Sequence, residues 1–320
     1  MRVLLTGAAG FIGSTLARAL LARGDEVVGL DNFDPFYDRI VKERNLRDLS
    51  RYERFSVHAG DVLDGSLLDR LLDGVDRVVH LAALAGVRPS LEAPSRYMRV
   101  NVEGTTEVLE ACRRANIGNL VVASSSSVYG VRSTAPFYED DPCDRPASPY
   151  AASKRATEHI CATYHHLYET GVTCLRYFTV YGPRQRPEMA IHKFVRLALA
   201  GEAVPMFGDG ASGRDYTYID DIVDGTLAAL DRQDGDFHVY NLGGAQPVLL
   251  RDLLDAIGEA LGRKLRIDQR PWQAGDIPLT SADVSRAADE LDYQPKVPLA
   301  VGLRRFVEWY RVTMLGRASA

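Results

Sequence analysis

The sequence predicts an α/β fold: a doubly wound parallel sheet with a smaller, discontinuous α/β domain attached to it. Three observations indicate this. Apolar runs of strand length alternate with longer segments of helical periodicity up to about residue 178. Such alternation is typical of a parallel sheet whose strands are joined by helices. A glycine-rich turn separates the first strand from the first helix, and after residue 178 Pro and Gly become dense and the alternation weakens.

Six apolar runs in the first part of the chain have the length and composition of buried strands. They cover residues 2–6, 26–30, 54–59, 77–82, 119–124 and 172–177. The segments between them favour helix, most clearly at 14–23, 95–116 and 149–170. Residues 2–30 therefore form one βαβ unit, and we expect the later strands to extend the same sheet.

The second half of the chain contains a further strand-like run, 237–242 (FHVYNL), that can return to the first sheet. Helices are predicted at 250–262 and 299–314, and a Pro-rich loop lies at 271–278. These elements are separated from the first sheet by Pro- and Gly-rich loops, so we expect them to build a second domain.

The predicted domain boundaries follow from this pattern. The first domain is expected to comprise residues 1–178 plus about 215–243. The second is expected to comprise about 179–214 plus 244–320.

Composition excludes several classes of protein. The chain has 320 residues, 46% of them hydrophobic and 25% charged, as in an ordinary globular protein. A formal net charge of −5 argues against a general nucleic-acid binder. The sequence contains no run of 18 apolar residues, the length that would predict a membrane span. The four cysteines form no C-x-x-C pair and the seven His are scattered, so we expect reduced thiols, no metal site and a cytoplasmic protein.

The turn after the first strand reads Gly7-Ala8-Ala9-Gly10-Phe11-Ile12-Gly13, a G-x-x-G-x-x-G pattern. Glycines allow a pyrophosphate to approach the backbone, and the following helix start offers free N–H groups. Asp31 ends the second strand, where its carboxylate can accept the ribose hydroxyls of NAD and repel the extra phosphate of NADP. The glycines alone fit an ordinary turn. Together with Asp31 they predict a Rossmann-type NAD site, in which Asp61 and Val62, after the third strand, touch the adenine or simply form a strand-end turn.

The segment SPYAASKRAT, residues 148–157, has two interpretations. Ser148 and Pro149 suit the cap and first position of a helix, which explains the segment without any chemistry. Tyr150 and Lys154 also share one helix face, being four residues apart. The lysine, a nicotinamide ring and the helix N-terminus are each expected to lower the pKa of the phenol, which is near 10 when unperturbed. This would make Tyr150 a general base.

A run of four serines, Ser124 to Ser127, follows a predicted central strand. Its hydroxyls are therefore expected at the carboxyl edge of the sheet, where open α/β folds bind ligands. One of them can hydrogen-bond a substrate hydroxyl and share its proton with Tyr150.

These features occur within motifs that resemble a known family. TGAAGFIG, DNFDPFYD, HLAALAGVRPS, SSSSVYG, YAASK, LRYFTVYGP and RDYTYIDDI look like those of extended short-chain dehydrogenases, specifically the NAD-dependent sugar-nucleotide epimerases and dehydratases. The motifs appear in family order over nearly the whole chain. DNFDPFYD, AGVRPS and TVYGPRQRPEMA are most similar to UDP-glucuronate 4-epimerases. The resemblance implies NAD as the cofactor, a UDP-sugar as the substrate and a homodimer formed through helices 95–116 and 149–170.

The resemblance also implies roles for single residues. Gly7, Gly10 and Gly13 would hold the pyrophosphate and Asp31 the ribose, with Tyr150 as base and Lys154 as its electrostatic partner. Ser125 and Ser127 compete for the third catalytic role. Dehydratases of this group carry an Asp-Glu pair at Ser126 and Ser127, so the serines argue against dehydration. The remaining expected cofactor contacts are Phe11, Ile12, Asn32, Asp61, Val62, Leu81, Ala82, Ala83, Asn101 and Tyr177.

The implied reaction is inversion at carbon 4 of a UDP-hexuronic acid through a 4-keto intermediate. This intermediate is a β-keto acid that loses carbon dioxide readily unless its carboxylate is held out of line with the carbonyl. Arg88, Thr179 and Arg186 are candidates for that grip, and the resemblance favours Thr179 and Arg186. Arg186 can instead be a solvated loop charge, and Arg88 a phosphate or structural partner.

The second domain is expected to bind UDP. The resemblance places Lys193, Arg214 and Asp276 at the diphosphate and ribose, and Phe207 over the uracil. RDYTYIDD around Arg214 also fits a strand followed by a helix start. The competing activities are UDP-glucose 4-epimerase and UDP-glucuronate decarboxylase, and a competing class is a non-catalytic NAD-binding sensor.

Overall fold

The computed structural model describes residues 1–131, 134–271 and 278–316. Its strands are β1 Arg2–Thr6, β2 Glu26–Asp31, β3 Phe55–Ala59, β4 Arg77–His80, β5 Asn119–Ser125, β6 Gly171–Tyr177, β7 Thr179–Tyr181, β8 Val204–Phe207, β9 Gly213–Tyr218, β10 Phe237–Leu242, β11 Pro247–Leu249 and β12 Ile267–Arg270. Its helices are α1 Phe11–Arg23, α2 Arg39–Leu46, α3 Gly65–Leu71, α4 Val87–Glu92, α5 Pro94–Tyr97, α6 Gly104–Arg114, α7 Pro149–Tyr168, α8 Ala190–Leu199, α9 Ile219–Asp231, α10 Leu250–Leu261, α11 Ser285–Leu291 and α12 Leu299–Leu315.

A seven-stranded parallel sheet forms the centre of the described chain, in the order β10-β6-β5-β4-β1-β2-β3. The strand order reverses at β1, which pairs with β2 on one side and with β4 on the other. In such sheets the crevice for ligands opens at the carboxyl ends of the strands beside this reversal. The predicted doubly wound α/β fold is confirmed.

Strand β1 shows why both faces of the sheet are covered by helices. Val3 and Leu5 pack into one apolar cluster, which includes Leu16 and Leu20 of α1. Leu4, between them, packs into a second cluster with Leu109 of α6. Side chains alternate along a strand, so a strand that is apolar at every position must be buried on both faces.

The late strand predicted at 237–242 is confirmed, because β10 pairs in parallel with β6. The predicted helix 95–116 is interrupted. A six-residue π-helical segment, Met98–Glu103, lies between α5 and α6. Within it the carbonyl of Asn101 accepts hydrogen bonds from the hydroxyls of Thr105 and Thr157.

The rest of the chain is richer in regular structure than its Pro and Gly content indicates. Strands β11, β9 and β7 form a small sheet, and β12 pairs with β8. Helices α8 and α9 were not singled out from the sequence. β9 runs directly into α9, as the structural interpretation of RDYTYIDD expected. Among the described residues, no helix combines the length and apolarity that crossing a membrane requires.

Candidate active site

A cleft of about 460 Å³ opens at the carboxyl ends of the central strands. It brings together all four expected catalytic residues and most of the expected cofactor contacts. The expected residues that line it are Gly7, Gly10, Phe11, Ile12, Gly13, Asp31, Asn32, Val62, Leu81, Ala82, Ala83, Ser125, Ser127, Tyr150, Lys154, Tyr177, Thr179 and Arg186.

The glycine loop fits a pyrophosphate because no side chain occupies its inner surface. Gly7 has a φ of +71°, and its N–H donates to the carbonyl of Leu30. Gly10 caps helix α1 without a side-chain hydrogen bond. The first N–H groups of α1 therefore face the cleft without a capping side chain, which suits an anion.

Gly13 is the most constrained residue of this loop. A Cβ atom on Gly13 would lie 2.1 Å from the carbonyl oxygen of Gly7. We expect Gly13→Ala to push the loop apart, to lower the free energy of unfolding by about 1–3 kcal/mol and to lower NAD affinity at least about tenfold. NAD titration by calorimetry measures this, with Gly118→Ala as control because nothing lies within 4 Å of its added Cβ. Unchanged NAD affinity in Gly13→Ala would contradict the assignment of the loop.

Asp31 lies buried at the end of β2 and is already hydrogen-bonded. It accepts from the N–H of Ala9 at 3.1 Å, the N–H of Phe33 at 2.8 Å and Lys42 Nζ at 3.0 Å. A carboxylate has about four acceptor sites, so capacity remains for a ribose hydroxyl. Lys42 was missed, because nothing in its local sequence distinguishes it from other lysines of an exposed helix.

Two expected cofactor contacts do not line the cleft. The Asn101 amide instead bonds the backbone N–H and carbonyl of Leu84 and the hydroxyl of Ser153. Asp61 accepts from the side chain of Asn32 at 2.9 Å and thereby supports a residue that does line the cleft.

The start of α7 has the predicted cap. The Ser148 hydroxyl accepts from the N–H of Ala151 at 3.1 Å, and Pro149 is the first helical residue. Ser125 interacts with the Tyr150 hydroxyl in a way that lowers the pKa of the phenol. Ser127 Oγ donates to Ser125 Oγ at 2.9 Å. Both serines line the cleft together with Tyr150.

The electrostatics of Tyr150 differ from the expectation. Burial raises the pKa of the phenol above its ordinary value, and the interaction with Ser125 and the charge of Arg186 only partly oppose this. Lys154 lines the same cleft, and its Nζ donates to the carbonyl of Ala123 at 2.7 Å. The predicted lowering of the Tyr150 pKa by Lys154 stays a prediction. Burial lowers the pKa of Lys154 itself to about 8.

Arg186 and Thr179 lie on the cleft wall, as the grip hypothesis requires. Arg186 Nε pairs with Glu188 Oε1 at 3.1 Å, and its guanidinium lies 5.6 Å from the ring centre of Phe36. The Arg186 guanidinium is therefore held at its Nε edge by Glu188 and on one face by Phe36, rather than free in solvent. The Phe36 contact joins separate loops, which the sequence does not indicate, whereas Glu188 lies two residues further along the same loop.

The other expected substrate residues lie outside this cleft. Lys193 is exposed on α8, and Arg214 is half-buried on β9 with its Nη1 donating to the carbonyl of Gly213. Arg88 is exposed, with its guanidinium 5.9 Å from the ring centre of Phe207. Asp276 is outside the described residues.

His80 is a core residue. It is 3% exposed, and its two nitrogens bond the hydroxyls of Thr6 and Thr105. Burial lowers its pKa to about 3, so the ring is neutral. The four cysteines, Cys112, Cys143, Cys161 and Cys174, are buried free thiols.

A group of acidic side chains with one histidine lies far from the cleft. Asp234, Asp236 and His238 are close enough together to share an ion. Arg232 Nε already pairs with Asp234 at 2.5 Å, and His238 Nε2 lies 2.9 Å from the same carboxylate oxygen. The expectation of a protein without a metal site stays a prediction.

Comparison with known proteins gives consistent results. A model of the NAD dependent epimerase/dehydratase family matches residues 3–243. UDP-glucuronate 4-epimerase 2 of Arabidopsis thaliana is 44% identical over 96% of this chain and 75% of its own length. UDP-glucuronate 4-epimerase of Thermodesulfobacterium geofontis is 38% identical over 96% of this chain and 95% of its own. The crystal structure of a Bacillus cereus UDP-glucuronic acid 4-epimerase with UDP-glucuronic acid and NAD superposes with a TM-score of 0.92, at 38% identity, covering 97% of this chain and 99% of that one.

Proposed function

The chain belongs to the NAD dependent epimerase/dehydratase family, and we propose that it converts UDP-glucuronate to UDP-galacturonate by inverting carbon 4, with NAD as its cofactor. One observation carries the proposal beyond the family: the cleft unites the glycine loop, the Tyr150–Ser125 pair and Arg186. Relatives named UDP-glucuronate 4-epimerase at 38–44% identity support the choice of substrate.

The residues of the cleft suit the cofactor. The glycine loop and the first turn of α1 would hold the pyrophosphate, and Asp31 would accept an adenosine ribose hydroxyl. Lys154 would contact the nicotinamide ribose. Bound NAD would supply the hydride acceptor and donor for carbon 4 and, when oxidised, a positive charge that favours the phenolate of Tyr150.

Tyr150 is the proposed acid–base residue. It accepts the proton of the 4-hydroxyl as carbon 4 is oxidised and returns it when the carbon is reduced from the other face of the sugar. Of the two serines, Ser125 is the one that affects the pKa of the Tyr150 hydroxyl, so we assign it, and not Ser127, as the serine that shares this proton. Ser127 holds Ser125 in place through the 2.9 Å hydrogen bond.

Arg186 and Thr179 are proposed to hold the substrate carboxylate. A guanidinium offers two edges to anions, and Glu188 occupies the Nε edge. The other edge is left for a carboxylate, which a planar fork of N–H donors holds in one orientation. A fixed orientation keeps the carbon–carboxylate bond out of line with the 4-keto group and so prevents loss of carbon dioxide.

Incubation of the purified protein with UDP-glucuronate tests the function. We expect UDP-galacturonate, of unchanged mass and changed retention. A UDP-pentose would indicate a decarboxylase, and turnover of UDP-glucose alone a hexose epimerase. Stable NAD binding without turnover of any of these sugars would indicate a sensor.

The pH dependence of turnover follows from Lys154. Burial lowers its pKa to about 8, so the ammonium is charged below that pH and neutral above it. We expect kcat/KM to decline as the pH rises through about 8, because the positive charge that favours phenolate is lost. A pH series with UDP-glucuronate measures this, and a profile that stays flat well above pH 8 would contradict the role of Lys154.

Further expectations from the sequence remain proposals. We propose a homodimer through the face of α5, α6 and α7, where Met98, Leu167 and Tyr168 are exposed apolar side chains. The unpaired thiols are consistent with the proposed cytoplasmic location.

We also keep the proposed division into an NAD domain, 1–178 plus about 215–243, and a nucleotide-sugar domain, about 179–214 plus 244–320.

A further inference from the structure

Three consecutive residues at the end of β5 face α7, and the helix residues opposite them lie four residues apart. Ala123 accepts from Lys154 at 2.7 Å and Ser124 Oγ donates to Glu158 Oε1 at 2.6 Å, while Ser125 lies at the cleft with Tyr150 and lowers the pKa of its phenol. Residues at this spacing share one helix face, so Glu158 continues the Tyr150–Lys154 stripe. The proposed reaction uses Tyr150 and Lys154 and leaves Glu158 without a role.

We propose that Glu158 is a positioning residue, which through Ser124 and Arg176 holds both ends of the serine segment so that Ser125 stays against Tyr150. This inference rests on the proposed function, since it concerns the same reaction. The serine segment here means Ser124 to Tyr129, the end of β5 and the short 3-10 turn that follows it.

The first end of the serine segment is held directly. Glu158 is 1% exposed, and its carboxylate accepts from Ser124 on one oxygen. Arg176 binds both oxygens, with Nε at 2.8 Å and Nη2 at 2.9 Å, and Arg155 Nη1 reaches the second oxygen at 2.7 Å. These donors keep the pKa of the Glu158 carboxyl below its usual value despite burial, with Arg176 the strongest of them. Glu158 is therefore an ionised, fully hydrogen-bonded anchor.

The second end of the serine segment is held through Arg176. Its Nη1 donates to the hydroxyl of Tyr129 at 3.0 Å and to the carbonyl of Glu139 at 3.0 Å. The same guanidinium lies 4.8 Å from the ring centre of Tyr129. Tyr129 in turn donates to Asn241 Oδ1 at 2.6 Å. The buried Glu158–Arg176 ion pair thus holds Ser124, which precedes Ser125, and Tyr129, the last residue of the turn that follows Ser125.

This arrangement matters for proton transfer because the geometry between Ser125 and Tyr150 must be precise. Bidentate Arg–carboxylate pairs fix two partners in distance and in angle. A displacement of about 1 Å in a reacting pair can lower the rate about 10²-fold. The face of α7 that carries Tyr150 is thereby kept in register with the strand that carries Ser125.

Ser124→Ala is the decisive variant, since it removes one hydrogen bond and leaves the ion pair in place. Glu158→Gln would leave the Arg176 charge buried without its partner and would therefore also destabilise the fold. Thr157→Val is the matched control. Thr157 is a buried hydroxyl on the same helix, bonded to the carbonyls of Asn101 and Ser153 and not to the serine segment.

The expected result is a split between kcat and KM. In NAD-loaded Ser124→Ala, kcat for UDP-glucuronate falls about 10–100-fold, with KM and UDP affinity within about twofold of wild type. The formation of enzyme-bound reduced nicotinamide slows equally. Thr157→Val keeps the wild-type kcat. Wild-type kcat in Ser124→Ala, or an equal fall in Thr157→Val, overturns the inference.

A second readout does not depend on the substrate. The interaction with Ser125 and the charge of Arg186 both lower the pKa of Tyr150, while Lys154 lines the same cleft and Tyr97 is a neighbouring phenol. The ionisation of Tyr150, measured as the near-ultraviolet difference between each protein and its Tyr150→Phe form, should shift to higher pH in Ser124→Ala and not in Thr157→Val. Absence of this shift overturns the inference even in a protein with no turnover, whereas absence of turnover in wild type overturns the proposed function.

Discussion

Tyr150→Phe is expected to lower kcat for UDP-glucuronate by about 10²–10⁴-fold, the range that general acid–base catalysis contributes. Tyr150 is half-buried at the cleft and interacts with Ser125, and the proposed reaction assigns proton transfer at carbon 4 to its phenol. Phe keeps the ring and removes only the ionisable oxygen. NAD content and UDP affinity should therefore remain those of the wild-type protein.

Tyr97→Phe is the matched control for this variant. The Tyr97 ring lies 6.2 Å from that of Tyr150, and its hydroxyl donates to the carbonyl of Ala85 at 2.9 Å. We expect a small loss of stability and nearly unchanged turnover. Turnover rates in stopped and continuous assays measure both variants. If Tyr150→Phe turned over at the wild-type rate, the catalytic assignment would be wrong.

Arg186→Ala should have the second largest effect. Hydrogen bonds to charged groups contribute about 1.5–3 kcal/mol, so kcat/KM for UDP-glucuronate should fall about 10–100-fold. The freed carboxylate can then align with the 4-keto group. We therefore expect a larger share of turnovers to end in carbon dioxide and a UDP-pentose product, measured by mass of the nucleotide sugars and by released carbon dioxide.

Arg184→Ala controls for loss of a positive charge in the same loop. Arg184 Nη2 lies 3.8 Å from Asp48 Oδ2, and the residue does not line the cleft. Its kcat/KM and product ratio should match wild type. The grip hypothesis fails if Arg186→Ala keeps both its preference for UDP-glucuronate over UDP-glucose and its product ratio.

The seven-stranded sheet was predictable because its information is local. Apolar runs such as residues 2–6 are buried on both faces, and a strand of this kind can be recognised without any knowledge of its neighbours. The two smaller sheets were less predictable. Thr179–Tyr181 is a strand because it pairs with β9, far away in the sequence, and its three residues carry no periodic signal of their own.

The site shows the same division. Sequence patterns alone determined the glycine loop, the acid after the second strand and the Tyr–Lys pair, because helix geometry and strand ends place these groups whatever else surrounds them. The interaction of Ser125 with Tyr150, the Phe36 ring beside Arg186 and the raised pKa of Tyr150 depend on the tertiary structure. Burial, distance and direction depend on which distant segments meet, and no local pattern records them.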